Sequence, residues 1–199
     1  MLEEMGKTNA CYKEGIPLVG GPFVMRGELL IFARVLGTLY TGTNRRTANM
    51  KTLVAFFSAQ GTTASLAQEL AARTGADLFE IRPVEPYTAA DIKWTNPLAR
   101  CNREKIGKKD VPVAGAVEDW ASYDQVYLGF PIWYYGAPNV VNTFCKAYDW
   151  AGKRVVLFAT SGGSGIGRTA EKLQPYLTNG HIAAARVVQG VAELEDLIG

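Results

Sequence analysis

Residues 50–199 predict a doubly wound α/β fold, five parallel strands with helices on both faces of the sheet. Two observations carry this. Strand-like and helix-like runs alternate from residue 51 to the C-terminus, the pattern of a parallel sheet built from crossover units. The first strand-like run, Lys51–Phe57, has almost no polar residue inside it, as a strand covered on both faces requires.

Each element follows in order. Thr62–Thr74 reads as a helix, with Leu66, Leu70 and small alanines on one face and Gly75 as its stop. Ala76–Ile81 is a second strand, ended by Pro83 and Pro86. Thr88 is placed to cap a short helix through Trp94, which Pro97 interrupts, and Lys105–Val113 reads as a basic loop. Asp124–Phe130 is the third strand. Pro138 opens a helix to about Tyr148, with Val141, Phe144 and Cys145 inward. Lys153–Ala159, Ile166–Leu177, Ala185–Gln189 and Ala192–Ile198 complete the series as strand, helix, strand and a short last helix.

Composition narrows the function. The 199 residues are 48% hydrophobic and 20% charged, which excludes a chain disordered throughout. Lys plus Arg number 21 against 19 Asp plus Glu, so neither a nucleic-acid face nor a strongly acidic field is expected. Three cysteines and one histidine fit neither a disulfide framework nor a Cys/His metal site, and agree with a reducing, cytoplasmic setting. The apolar run Leu29–Tyr40, broken by Arg34, is shorter than the ~20 residues of a membrane span and starts too late for a signal peptide, so no membrane partner is expected. Met50 stands directly before the first strand. Residues 1–49 therefore read as an N-terminal extension, disordered or lying before the true start, and contribute nothing to the fold.

Ligands of doubly wound sheets bind at the carboxyl ends of the strands. The first strand ends in Ser58-Ala59-Gln60-Gly61-Thr62-Thr63 and leads into a helix, whose N-terminal N–H groups suit phosphate without any Lys or Arg. Plain capping by Ser or Thr explains the same loop. The third strand ends in Pro131-Ile132-Trp133-Tyr134-Tyr135-Gly136-Ala137-Pro138. Its aromatics fit a flat aromatic ligand, or a plug over the sheet, or a protein interface. The fourth strand ends in Thr160-Ser161-Gly162-Gly163-Ser164-Gly165-Ile166-Gly167, where glycines let backbone approach a ligand edge. This last loop misses the dinucleotide fingerprint and the nucleophile elbow by one position each, and no Lys completes a Walker pattern.

Together the three loops, with A-D-I-K-W-T-N-P-L-A-R at 90–100, resemble the flavodoxin family over about residues 50–191. The resemblance implies strand order 2-1-3-4-5 and FMN as cofactor. By it, Ser58, Gln60, Gly61, Thr62 and Thr63 hold the phosphate. Pro131, Ile132, Trp133, Tyr134 and Tyr135 flank the isoalloxazine, and Ser161, Gly162, Gly163 and Ser164 line its far edge. Three departures stand out. Gln60 replaces a usual Ser or Thr. The last helix is short, leaving one sheet face thinly covered or covered by a partner. Residues 50–199 hold 15 basic and 15 acidic residues, since six and four lie in 1–49, whereas carriers of the family are usually acidic.

The expected function is that of an FMN-dependent redox protein, an electron carrier for a redox partner protein or a reductase of small acceptors such as quinones, with NAD(P)H as a candidate donor. A flavin-free scaffold is the alternative. A receiver domain is rejected because Ser58 and Phe130 stand where acidic residues would bind Mg²⁺. A serine hydrolase is rejected because His181 reads as a surface residue in a turn beside Gly180. Trp120, Trp150 and Cys145 are assigned to packing. Cys101 reads as exposed and unreactive. Trp94 either folds over the flavin or packs on the sheet edge. With no Asp or Glu in the three loops, the expected reduced-state potential is less negative than that of acidic carriers.

Overall fold

The structure is a computed structural model and describes residues 50–198. The expectation that residues 1–49 add nothing to the fold lies outside the described residues.

Five parallel strands form one sheet in the order β2-β1-β5-β6-β7. They are β1 (Thr52–Phe56), β2 (Asp77–Glu80), β5 (Gln125–Pro131), β6 (Arg154–Thr160) and β7 (His181–Val187). In terms of the sheet's own strands this is 2-1-3-4-5, the expected doubly wound topology. A short antiparallel pair, β3 (Arg82–Pro83) with β4 (Val113–Ala114), lies outside this sheet.

The central strands are apolar on both sides because both sides are covered. Val54 and Phe56 pack with Leu66, Ala67, Leu70 and Ala71 of α1 (Thr62–Thr74) and with Leu194 and Leu197. Leu53, Ala55 and Phe57 belong to the opposite cluster, with Val140, Val141, Phe144 and Cys145 of α3 (Asn139–Lys146). Burial of each Val, Leu or Phe side chain among these contributes roughly 1.5–3 kcal/mol. Gly129 of β5 is fixed by this packing, since a Cβ there would run into the Phe158 ring of the neighbouring strand. Trp150 is buried and donates to Cys145 O at 2.8 Å, and Trp120 packs against Phe144 and Tyr148, so both are packing residues.

Several boundaries differ from the sequence reading. Thr88 does not start a helix. Its N–H and hydroxyl donate to the Asp91 carboxylate at 2.9 and 2.7 Å, closing a single tight turn, and these bonds hold Asp91 below the usual carboxylate range. Pro97 then disfavours helix at Asn96. The helix of this segment comes later, as α2 (Arg100–Gly107), so Lys105 belongs to its last turn and not to a loop. The helix foreseen at 166–177 shrinks to α4 (Thr169–Leu173), and Pro175 turns the remainder into a 3₁₀ turn over Gln174–Tyr176. The fifth strand of the sheet lies at His181–Val187, four residues earlier than expected. It is an edge strand, half exposed along its length, so it lacks the apolar signal of a central strand. His181 opens it and is exposed. The chain closes with a 3₁₀ turn (Val191–Leu194) and α5 (Glu195–Ile198), which is as short as expected yet buries Leu194 and Leu197 fully.

Candidate functional site

All three singled-out loops meet at the carboxyl ends of β1, β5 and β6. They border two adjoining cavities of about 440 and 540 Å³ that share Ile132, Trp133, Ser161 and Gly162 as walls.

The smaller cavity lies over the start of α1. Gly61 takes the left-handed conformation (φ 91°) and α1 has no capping side chain and no acidic residue in its first turn. The Gly61 N–H donates to Ser58 Oγ at 3.1 Å, while the N–H groups of Thr62, Thr63 and Ala64 have no partner among the described residues. Capping therefore does not explain this loop. The three free donors at the positive end of a thirteen-residue helix form a cavity wall suited to an anion, with Thr63 buried, Ala64 half-buried and Thr62 exposed. Ser58, Gln60, Thr62 and Thr63 line it. Thr63 is buried, and its hydroxyl lies 2.8 Å from that of Thr160. One of the pair's two protons is spent in that bond and the other is available to a ligand.

The aromatic loop is a tight two-residue hairpin. Trp133 and Gly136 exchange backbone hydrogen bonds of 2.9 and 3.1 Å, and the two residues between them, Tyr134 (φ 52°) and Tyr135 (φ 59°), are both left-handed. Asn and Gly usually fill such positions, and a side chain there costs roughly 1–2 kcal/mol. Tyr134 and Tyr135 are 38% and 74% exposed and line the larger cavity. Strained backbone of this kind clusters at ligand clamps and active sites, which makes Tyr134 and Tyr135 candidates for a ligand contact. Trp133 differs from its neighbours. Its ring meets Phe57 and Tyr87 edge-on at 5.6 and 5.3 Å, so it is a wall fixed to the core more than a free stacking surface. Tyr87 is itself held by donating to Glu104 Oε2 at 2.6 Å, and burial pushes its phenol upward.

In the glycine loop, Ser161 Oγ accepts the N–H groups of Gly163 and Ser164 at 3.2 and 2.7 Å, so this hydroxyl shapes the turn. Gly163 requires its glycine (φ 141°). Space around Gly162 and Gly163 is open, which leaves the backbone edge accessible. Pro131, Ile132 and Ser164 also sit on the cavity walls, and Gly61 supplies the turn beneath them.

The 87–107 segment adds residues that sequence reasoning missed. Ile92 lines both cavities, and Cys101 lines the larger one. Cys101 is buried, not exposed as expected, because α2 packs it inward beside the Tyr134 hydroxyl at 3.9 Å. Burial and this neighbour push the Tyr134 phenol up to about 12. Trp94 is 71% exposed at the mouth of both cavities rather than packed on the sheet edge. Asn102 holds that turn by donating to Trp94 O and Asn96 O at 2.9 and 2.7 Å. The clue was the W-T-N-P run, whose placement depends on α2. No residue lining either cavity is charged.

Fold and site together define a doubly wound protein with an uncharged cavity over a helix start beside an aromatic slot. The sequence profile of the flavodoxin family matches residues 51–198, and the chain belongs to that family. It is similar to a flavoprotein of Bacteroides eggerthii at 38% identity and TM-score 0.70, covering 75% of this chain and 96% of that one. A Bacteroides uniformis flavoprotein matches at 37% identity and TM-score 0.71, covering 75% and 98%. A Lactobacillus acidophilus flavoprotein, solved in complex with FMN, shares the fold at 20% identity and TM-score 0.61, covering 76% and 100%. No curated protein matches the chain. Among the described residues, no helix is long and apolar enough to cross a membrane, and no cluster of His, Cys, Asp or Glu could hold a metal.

Proposed function

We propose that this protein binds FMN and acts in electron transfer, as a carrier or as a reductase of a small acceptor such as a quinone. The observation that carries this is the uncapped start of α1, whose free N–H groups open into a cavity that adjoins the larger one walled by Tyr134 and Tyr135. Those donors fit a phosphate, and the aromatic slot fits a flat ring system of the size both cavities offer together. The flavoproteins at 37–38% identity support the same reading.

Bound FMN supplies the electron chemistry. The chain's own residues would do the rest. Thr62, Thr63 and the Gly61 turn would hold the phosphate, with Gln60 replacing a hydroxyl by an amide. Tyr134 and Tyr135 would border the ring, and the Gly162–Gly163 backbone would face its edge. Tyr134 stays neutral up to about pH 12, so the slot carries no charge of its own at working pH.

The absence of carboxylates from the walls favours the reductase. Carboxylates beside a flavin oppose its anionic reduced form, and only charges within about a Debye length matter, ~8 Å at physiological salt. The 87–107 segment brings Ile92, Trp94 and Cys101 to the cavities and no carboxylate. The test is a visible spectrum of the purified protein and identification of the released flavin. A redox titration and assays of NADH and NADPH oxidation with a quinone acceptor follow. The expected result is a yellow protein carrying FMN, with a potential less negative than that of acidic carriers and with nicotinamide oxidation. A colourless chain that takes up no FMN contradicts the reading. A very low potential without nicotinamide oxidation leaves the carrier.

A further inference from the structure

A third cavity, of about 250 Å³, lies between α2, α3 and α4 and has the opposite character. Lys105, Lys108, Lys146 and Lys172 line it, with Asn142 and Tyr176. The single carboxylate on its wall, Asp110, is taken by Lys146 at 2.6 Å. Among the described residues, no carboxylate lies within ion-pair distance of Lys105, Lys108 or Lys172.

Three ammonium groups around one small cavity repel each other, and an arrangement that keeps them together without counter-charges is one that a bound anion would complete. Lys105 is drawn inward to donate to Ala137 O at 3.1 Å. Its ammonium is pushed below the usual lysine range by burial and then by Lys172. Lys172 reaches the Tyr135 ring, 5.8 Å from its centroid, so the cavity abuts the strained turn that borders the proposed flavin slot.

The donor chemistry selects the anion. Arginine forks suit planar carboxylates, and no arginine lines this cavity. Compact ammonium charges converging from three segments suit a tetrahedral, multiply charged group. We propose that this cavity binds a phosphoryl group, either inorganic or carried by a nucleotide whose remainder passes over Tyr135 toward the larger cavity. This goes beyond the flavin reading, because the α1 cradle holds its anion on backbone N–H groups and this cavity holds one on lysines.

Calorimetric titration of the full chain with inorganic pyrophosphate tests it, and does not depend on flavin being bound. Saturable binding at one site is expected, with affinity falling about tenfold in each of K108Q and K172Q, the cost of losing a charged hydrogen bond. These two residues are exposed, so the variants fold even if K105Q does not. Parallel titration with adenosine 2′,5′-bisphosphate separates the sources: tighter binding than pyrophosphate marks a nucleotide, weaker binding an inorganic anion. Absence of saturable binding by either, affinities unchanged in both variants, or stronger binding of a glutamate-rich peptide than of pyrophosphate would overturn the proposal.

Discussion

Around the Tyr134–Tyr135 turn the molecule presents cavities of two opposite characters, each proposed above to take an anion. The cavities over α1 and the glycine loop are lined by hydroxyls, an amide, backbone and aromatic rings, without one charged residue. The cavity between α2, α3 and α4 gathers four lysines around one carboxylate. The first is built from residues adjacent in sequence to strand ends and rigidly tied to the sheet. The second is assembled from side chains on three helices, and its charges are exposed or drawn inward by long flexible stems. The comparison teaches that fixed dipoles and mobile charges are separate routes to binding an anion, and that they answer differently to salt, pH and substitution.

The largest expected effect breaks both sites at once. Gly129→Ala places a Cβ against the Phe158 ring in the strand that feeds the aromatic turn. Overpacking of this kind costs about 1–3 kcal/mol, and a thermal melt should show it as a lower midpoint. Next, Thr63→Val removes one hydroxyl of the Thr63–Thr160 pair. FMN affinity should fall roughly 10- to 150-fold, the worth of a hydrogen bond to a charged group, with much less change for riboflavin and none for pyrophosphate in the lysine cavity. Flavin fluorescence quenching measures the first two. Equal loss for FMN and riboflavin would mean that the loop serves something other than phosphate.

A smaller effect sharpens the role of the turn that both regions share. Replacing Tyr134 and Tyr135 by Asn and Gly suits the left-handed backbone and should stabilise the fold by up to about 1 kcal/mol in denaturant titration. Flavin affinity should fall in the same variant, because the slot loses its rings. A loss of stability would show that the tyrosines are packing residues.

The smallest effect concerns pH. Tyr134, raised to about 12, is neutral in the fold where a free phenol, near ~10, has ionised. Its contribution to stability is therefore full below roughly pH 10 and is lost as pH rises through about 12. Lys105 shifts the opposite way, downward through burial and Lys172, within a cavity also faced by Lys108, Lys146, Asp110 and Tyr176. Raising the pH toward the ordinary lysine value of ~10.4 should weaken pyrophosphate binding while flavin affinity holds. Parallel titrations across this range check the divergence.

The same contrast explains what could be read from the sequence. Both sheet faces and the three loops were legible because β1, β5 and β6 are continuous apolar runs that stop at Ser58, Pro131 and Thr160, whereas the strand order followed from the family resemblance. The 87–118 segment was not. Its structure rests on long-range contacts, such as Asn139 donating to Glu104 O and Lys109 O and Tyr87 donating to Glu104, that no local pattern displays. For that reason the sequence alone reads Cys101 as exposed, does not mark Ile92, and leaves Trp94 open between two positions. The lysine cavity was invisible for the same reason, because Lys105, Lys146 and Lys172 meet only through helix packing. The edge strand β7 was misplaced because a half-exposed strand carries little apolar signal.

The central claim is that a neutral, backbone-lined cradle at the start of α1 binds the phosphate of FMN. Titrating the protein with FMN and with riboflavin, each at low and at high salt, tests it most directly. The expected result is that FMN binds at least about tenfold more tightly than riboflavin, the value of one charge-assisted hydrogen bond. That preference should persist at high salt, because hydrogen bonds from fixed N–H groups are screened far less than exposed charges. Equal affinities for the two flavins, or a preference that vanishes with salt, would contradict it.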